Sequence, residues 1–293
     1  MKKGVTFYFM RHGETYLNKY NRMQGWSDTP LTPRGRRDVM RSGAGLGDVK
    51  FDAVYCSDLR RTFETAQIIL KENQHADHLK VVAMPEFREI FFGSFEGLDA
   101  SETWGNLNKF LGSADGQPNY EAHRSVIEEL NGLKEMDPYH EAEDYMTFWL
   151  RVERGLIKLI SEHRDSERNI LIVSHGMTIR NMIHAVIPDF SIDRHLDNAS
   201  ISVVRYEDGF YHLDLYNGTD HFVDDFTPGD EQEPEVHKVT PADKVEGTSN
   251  DLRTLPLENL CFQGYFYILK STINTQSHLF FLFGKNQLKI LSR

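Results

Sequence analysis

The sequence predicts an α/β fold: a three-layer α/β/α sandwich around a mostly parallel central sheet, with an inserted cap lobe. Three short apolar runs carry this prediction, namely Val5 to Met10, Ala53 to Cys56 and Ile170 to Val173. Each run is continuous rather than alternating, which is typical of strands buried on both faces of a parallel sheet. A segment with helical character follows each run, and alternating strands and helices build a sheet covered by helices.

Two further patterns complete the predicted core. Between Tyr145 and Ile160 apolar residues recur at spacings of three and four with charges opposite, which predicts an amphipathic helix. Two apolar stretches, Ser200 to Tyr206 and Phe210 to Leu215, are separated by Glu207-Asp208-Gly209. That arrangement indicates a closing hairpin at one edge of the sheet.

We predict one domain over residues 1–223, with the inserted lobe at about 98–140. The periodicity weakens in that stretch, where Gly, Asn and Asp are scattered among short apolar segments. An insertion of this kind is suited to covering a site.

The composition changes after this domain. Residues 224–257 are too polar and acidic to bury themselves, which predicts a solvated linker. Residues 258–264 resemble the recognition sequence of a viral protease used to remove expression tags, with Cys261 where a tyrosine is usual. We therefore interpret residues 258–293 as a tag-derived or disordered tail and leave them out of the functional argument, with a native interaction tail as the alternative.

Charge and cysteine content exclude several classes of function. The 293 residues include 33 Lys plus Arg against 44 Asp plus Glu, a net charge of -11, which does not indicate a surface for nucleic acid or anionic lipid. Only two cysteines, Cys56 and Cys261, argue against a disulfide framework and favour a reducing compartment. The first apolar run is short and leads directly into Arg11, unlike a signal peptide, so we expect a cytoplasmic protein. The pattern leaves the oligomeric state open.

Polar side chains that suit phosphate chemistry follow each of the three predicted strands. The three segments are Arg11-His12-Gly13-Glu14-Thr15, Ser57-Asp58-Leu59-Arg60-Arg61-Thr62 and Ser174-His175-Gly176-Met177-Thr178. The carboxyl ends of parallel strands meet at one sheet edge, where helix amino termini favour anions. A phosphoryl group is the natural candidate, because guanidinium groups match its oxygens and a neutral imidazole can attack phosphorus.

These residues belong to a longer pattern. Arg-His-Gly-Glu-Thr at 11–15, followed by Asn18 and the segment 21–35, strongly resembles the histidine phosphatase superfamily, in its phosphoglycerate mutase-like branch. The likeness continues in family order through Ser57 to Ala66, Glu89 to Gly97 and Val173 to Gly176, and covers roughly residues 4–217. It implies an enzyme that forms a phosphohistidine intermediate and needs no metal or other cofactor.

The resemblance also implies roles for individual residues. His12 matches the nucleophile, and Glu89 matches the proton donor. Arg11, Arg61 and His175 match the residues that complete the phosphate pocket. The remaining implied phosphate contacts are Asn18, Gln24, Gly25 and Gly176.

Two features weigh against glycerate recognition. The mutases of this branch carry Glu-Arg-His-Tyr-Gly at the proton donor, whereas this chain has Ile90, Phe91 and Phe92 after Glu89. The segment between Leu98 and His140 contains three basic residues, Lys109, Arg124 and Lys134, against eight acidic ones, Asp99, Glu102, Asp115, Glu121, Glu128, Glu129, Glu135 and Asp137. A mutase needs extra positive charge for the carboxylate of its substrate.

We therefore predict a phosphatase that hydrolyses small phosphate monoesters through a phosphohistidine on His12. The alternatives are a phosphoglycerate mutase and a non-catalytic module that binds a phosphorylated ligand. Ile90 and Phe91 either line an apolar entrance or pack in the core. Arg180, one turn into the helix after His175, is equally compatible with substrate contact and with a solvated helix surface.

Overall fold

The computed structural model describes residues 4–113, 125–187, 190, 195–223, 280–284 and 287–291. Contacts divide the chain into two compact units, residues 1–254 and 255–293. In the described residues of the second unit, β7 (Phe280–Gly284) and β8 (Gln287–Leu291) form an antiparallel pair. The predicted acidic linker lies outside the described residues, and the origin of the tail stays a prediction.

A six-stranded sheet forms the centre of the first unit. Its strands are β1 (Gly4–Arg11), β2 (Ala53–Cys56), β3 (Val81–Ala83), β4 (Arg168–Ser174), β5 (Ile201–Glu207) and β6 (Phe210–Gly218). Their order is β3-β2-β4-β1-β5-β6, with β1 to β4 parallel and the β5–β6 hairpin antiparallel at one edge. The mostly parallel sheet and its closing hairpin are as predicted, whereas the three-residue β3 was not anticipated.

Helices cover both faces of this sheet. They are α1 (Tyr16–Lys19), α2 (Pro33–Gly45), α3 (Arg60–Glu72), α4 (Ala100–Phe110), α5 (Val126–Met136), α6 (Tyr145–His163) and α7 (Gly176–Val186). Ile170 and Ile172 of β4 belong to the hydrophobic cluster that contains the inner faces of α6 and α7. Leu171 and Val173 belong to the cluster with α2 and α3. Alternate residues of one buried strand thus support opposite layers, as the continuous apolar run predicted.

The region expected to form an inserted lobe contains two helices and, among its described residues, no strand. Asp99 caps α4, and Ser125 with Glu128 forms a capping box at α5. Leu107 and Leu130 of these helices belong to the same cluster as α6, so the two helices extend the core on that side of the sheet. That they cover a site stays a prediction.

Within the described residues, no helix combines the length and apolarity that crossing a membrane requires.

Candidate active site

His12 lies immediately after β1, and its backbone N–H donates to the carbonyl of Ser174 at the end of β4 (3.0 Å). Its Nδ1 is 2.8 Å from the carbonyl oxygen of Gly13, which can only accept, so Nδ1 carries the proton. Nε2 accepts a hydrogen bond from Nε of Arg61 (3.2 Å). Burial, followed by the charges of Arg61 and Arg11, holds the pKa of His12 well below its usual range. The result is a buried, neutral imidazole with its lone pair on Nε2.

His175 follows β4 and occupies the N-cap position of α7. Its Nδ1 accepts from Nη2 of Arg61 (2.9 Å), so its proton is on Nε2, which donates to Oγ of Ser57 (2.8 Å). Burial, followed by the charge of Arg61, holds the pKa of His175 well below its usual range. The ring centroids of His175 and His12 are 5.2 Å apart, so the two predicted strand ends do converge.

Arg61, in the first turn of α3, is fully buried and engages every N–H of its guanidinium group. Besides the two histidines, it donates to the carbonyls of Gly25 (2.7 Å) and Ser27 (3.0 Å) and to the carboxylate of Asp28 (3.1 Å). Burial lowers the pKa of Arg61, and the charge of Asp28 opposes that shift. Arg61 therefore joins both histidines to the loop at residues 25–28.

Arg11 lines a cavity of about 110 Å³ next to this cluster. The cavity is lined by Arg11, Glu89, Gly176, Met177, Arg180, His195 and Leu196. Nη1 of Arg11 donates to the carbonyl of Leu196, while Nε of Arg11 and Nε of Arg180 are buried and have no hydrogen-bond partner among the described residues. A Cβ atom at Gly176 would lie 3.3 Å from Nε of Arg11, so the glycine leaves room for the guanidinium group. Two arginines make this cavity suitable for an anion.

The carboxylate of Glu89 reaches the same cavity from the segment after β3. Oε1 accepts from the backbone N–H groups of Thr178 (3.0 Å) and Ile90 (3.1 Å). The hydroxyl of Thr178 lies 2.9 Å from Oε1 and 2.8 Å from the carbonyl oxygen of Arg88, so its one proton serves one of these two acceptors at a time. Oε2 accepts from the N–H of Met177 (3.1 Å). The N-cap residue His175 makes no side-chain capping bond. Glu89, from a distant segment, instead accepts hydrogen bonds from the free backbone N–H groups in the first turn of α7.

Three of the implied phosphate contacts lie in the network around this cluster. Oδ1 of Asn18 accepts from Asn198 (3.4 Å), whose amide also donates to the carbonyl of His12 (3.0 Å). The side-chain amide of Gln24 accepts from Thr15 (2.6 Å) and donates to Thr29 (3.3 Å), and the N–H of Gly25 donates to Glu96. Gln24 and Gly25 thus hold the loop, and the Gly25 carbonyl reaches the cluster through Arg61.

Two carboxylates that support this arrangement were not singled out from the sequence. Asp28 is the charged partner of Arg61. Glu96 accepts the backbone N–H groups of Gly25 (3.1 Å), Trp26 (2.9 Å) and Ser27 (3.0 Å). Glu96 lies within the stretch Glu89 to Gly97 that resembles the family, and this is the signal in the sequence that points to it. Apart from the hydroxyl of Ser27, its partners are backbone groups, which carry no sequence pattern.

The sequence left two interpretations open for each of Ile90, Phe91 and Arg180, and the structure places the three side chains differently. Ile90 is fully buried in the core, so it does not line an entrance. Phe91 packs on Trp26 with ring centroids 4.9 Å apart. Arg180 borders the cavity, which favours substrate contact over a solvated helix surface.

The fold and the cluster define a class of protein. Two buried neutral histidines and two arginines, placed at the carboxyl edge of a mostly parallel sheet, are typical of proteins that act on phosphoryl groups. The chain belongs to the histidine phosphatase superfamily (branch 1), whose family model matches residues 7–219.

Its relatives include both phosphatases and mutases. The adenosylcobalamin/α-ribazole phosphatase of Escherichia coli (strain K12) is 33% identical over 183 residues, which are 62% of this chain and 79% of that protein. A 2,3-bisphosphoglycerate-dependent phosphoglycerate mutase of Methanococcus vannielii is 25% identical over 202 residues, 60% of this chain and 78% of that protein. The crystal structure of a phosphoglycerate mutase from Bacillus anthracis str. Sterne superimposes with a TM-score of 0.69 at 30% identity, covering 75% of this chain and 96% of that one.

Proposed function

We propose that this protein is a phosphatase that hydrolyses small phosphate monoesters through a phosphohistidine on His12. The observation that carries the proposal is the state of His12, a buried neutral imidazole whose unprotonated Nε2 lies beside guanidinium groups. Such a nitrogen is a competent nucleophile without prior loss of a proton. The relationship to an α-ribazole phosphatase supports the same reaction class.

In the first half-reaction Nε2 of His12 attacks phosphorus, and the ester P–O bond breaks. The Nδ1–H group of His12 keeps its hydrogen bond to the carbonyl of Gly13, and this bond stabilises the positive charge that develops on the ring. Arg11, Arg61 and His175 stabilise the negative charge spread over the phosphoryl oxygens. In this structure the Nε–H group of Arg61 donates to Nε2 of His12. When Nε2 bonds to phosphorus, the same N–H group donates to a phosphoryl oxygen instead.

Glu89 serves both half-reactions in this mechanism. Its carboxyl group donates a proton to the departing ester oxygen, which is otherwise a poor leaving group. The resulting carboxylate then takes a proton from water, the water oxygen attacks phosphorus, and the P–N bond breaks. Inorganic phosphate leaves, and His12 returns to the neutral form with its proton on Nδ1. Three backbone N–H groups, those of Ile90, Met177 and Thr178, donate to the carboxyl oxygens of Glu89 and hold the group in place.

A phosphoglycerate mutase is the second candidate. Two observations favour it, the likeness to a mutase structure and the buried Nε of Arg180, which has no hydrogen-bond partner in the part of the chain that the structure describes. Arg180 provides a cation for a second acidic group. The residues after Glu89 favour the phosphatase, because Ile90 is buried in the core and Phe91 packs on Trp26. No cation follows Glu89 where the mutases of this branch carry an arginine.

The test is phosphate release by wild type and His12→Ala from p-nitrophenyl phosphate, sugar phosphates, nucleotides and phosphoglycerates, with mutase activity assayed in parallel. We expect release by wild type and at least a ~1000-fold loss in His12→Ala, because the nucleophile is removed. His78→Ala, at an exposed histidine, is the matched control and keeps full activity. Interconversion of phosphoglycerates without release supports the mutase, and tight binding of phosphorylated ligands with neither activity supports a binding module.

A further inference from the structure

The segment that carries Glu89 has no regular secondary structure to hold it. It lies between two 3₁₀ turns, Pro85–Phe87 and Gly93–Phe95, and joins no strand of the sheet. Buried backbone carbonyls need hydrogen-bond partners, so a segment of this kind depends on side chains for its position. The position of the Glu89 carboxyl group depends on the same side chains.

Arg151 on α6 provides three of those partners. Its Nη1 donates to the carbonyls of Glu86 (3.0 Å) and Arg88 (2.8 Å), and its Nη2 donates to the carbonyl of Glu89 itself (2.8 Å). One guanidinium group thus binds three carbonyls within four consecutive residues. Arg151 does not line the cavity beside Arg11, so it acts on the segment rather than on a ligand.

Glu143 holds Arg151 in place and also bonds the backbone of Phe91, at the other end of the segment. Its Oε1 and Oε2 accept from Nε and Nη2 of Arg151, both at 2.7 Å. Oε2 also accepts from the N–H of Phe91 (3.0 Å), while the N–H of Glu143 donates to the carbonyl of Phe91 (2.8 Å). The pair is largely buried, with side-chain exposures of 11% and 6%, so its charges are held in a defined geometry.

A second donor reaches the same carbonyl. Nε1 of Trp26 donates to the carbonyl of Glu89 (2.9 Å), from the loop that also provides the acceptors of Arg61. Both lone pairs of that carbonyl are therefore used. The backbone of Glu89 is fixed by Arg151 and Trp26, and its carboxylate is fixed by Met177 and Thr178.

We infer that Arg151, held by Glu143, is the positioning residue for the acid–base group Glu89, an inference that rests on the proposed phosphatase function. The fork of one arginine is required because its five N–H groups serve three carbonyls and a carboxylate at once. A lysine has one nitrogen and three donors, and it does not reproduce that pattern. Displacements of about 1 Å at an acid–base group cost up to ~100-fold in rate.

The test compares Arg151→Lys with wild type in the full chain, on an alkyl phosphate and on p-nitrophenyl phosphate. We expect kcat/KM, which reports only the half-reaction that forms the phosphohistidine, to fall roughly 10- to 100-fold for glycerol phosphate, whose leaving oxygen needs a proton, and less than about threefold for p-nitrophenyl phosphate. The matched control is Arg154→Lys, at an exposed arginine one turn along α6, and it equals wild type on both substrates. A general loss of folded protein lowers both rates equally, so their ratio separates positioning from stability.

Glu143→Gln provides a second route if Arg151→Lys does not fold. Its amide NH₂ faces donors from Arg151 and Phe91, which loosens the pair while leaving the arginine in place, so the same leaving-group preference is expected in weaker form. Equal losses on both substrates, or no loss in a folded variant of an active enzyme, overturn the inference. Absence of phosphate release in wild type itself is a different result, because it rejects the proposed function and the inference with it.

Discussion

Nε of Arg61 donates a hydrogen bond to Nε2 of His12 over 3.2 Å, so a guanidinium group lies on the nitrogen that would otherwise take up a second proton. The same arginine donates to Nδ1 of His175 over 2.9 Å. One buried cation therefore fixes which nitrogen of each histidine carries the proton, and its charge adds to the effect of burial in keeping both rings neutral. This relationship has a consequence for stability as well as for chemistry.

We predict that acid destabilises the fold through these histidines. The pKa values of His12 and His175 are lowered in the folded state, mainly by burial, whereas the unfolded chain binds protons below about pH 6.5. The unfolded state therefore gains protons first, and stability falls as the pH drops through that value. Each histidine contributes a loss of about 1.4 kcal/mol in the free energy of unfolding between pH 7.5 and 5.5.

Urea unfolding of wild type and His175→Gln at these two pH values isolates one contribution. Glutamine can accept from Arg61 and donate to Ser57, so it replaces the neutral histidine without its titration. His163, His195 and His221 also have lowered pKa values and cancel in the comparison. We expect the variant to lose about 1.4 kcal/mol less than wild type, with His78→Gln behaving as wild type. An identical pH dependence in wild type and His175→Gln would contradict a depressed pKa at His175.

Glu89→Gln tests the proton transfer directly. Glutamine keeps one oxygen for Thr178 but turns an NH₂ group toward the N–H of Met177, and it has no acidic proton to donate. We expect kcat/KM, which reports only the half-reaction that forms the phosphohistidine, to fall roughly 100-fold or more for glycerol phosphate and only a few-fold for p-nitrophenyl phosphate, whose leaving group needs little protonation. Steady-state rates on both esters provide the measurement.

Glu141→Gln, at an exposed glutamate, is the control for Glu89→Gln and should leave both rates unchanged. Equal losses on the two esters would count against Glu89 as the acid, since a general disturbance of the first turn of α7 does not distinguish leaving groups.

The sequence predicts this fold well where burial alone determines structure. Ile170 to Val173 are fully buried because β4 lies in the middle of the sheet, and a continuous apolar run reflects that directly. β3 is short, and all three of its residues are only partly buried at the edge of the sheet, so its local pattern is weak. Whether these three residues form a strand depends on their pairing with β2 and not on their own composition.

The sequence also predicts that His12, Arg61 and His175 converge, because all three follow the carboxyl ends of parallel strands. It does not predict the hydrogen-bond partners of these residues. Asp28 and Glu96 act on a guanidinium group and on backbone N–H groups of a loop, and nothing in local spacing encodes that contact. Gln24 bonds two threonines, Thr15 and Thr29, and its expected place near phosphate stays a prediction.

The domain boundary predicted at residue 223 gives a final test. His221 bonds Ser42 of α2 through Nε2 and Oγ (2.7 Å), the ring of Phe222 lies 5.5 Å from the guanidinium group of Arg41, and the N–H of Val223 donates to the carbonyl of Arg41. A chain of residues 1–223 keeps all three contacts. We expect it to release phosphate within about twofold of the full chain, with an unchanged urea midpoint.

A shorter chain that ends at Gly218 is the informative comparison, because it keeps the whole of β6 but loses the contacts of His221, Phe222 and Val223 with α2. Removing them leaves the buried hydroxyl of Ser42 with one acceptor, the carbonyl of Ala199, and exposes apolar surface of α2, which should cost about 1–3 kcal/mol in the free energy of unfolding. Urea titrations of the two truncations and the full chain measure this difference. If the chain of residues 1–223 is unfolded or inactive while the full chain is active, residues beyond 223 belong to the folded domain and the predicted boundary is wrong.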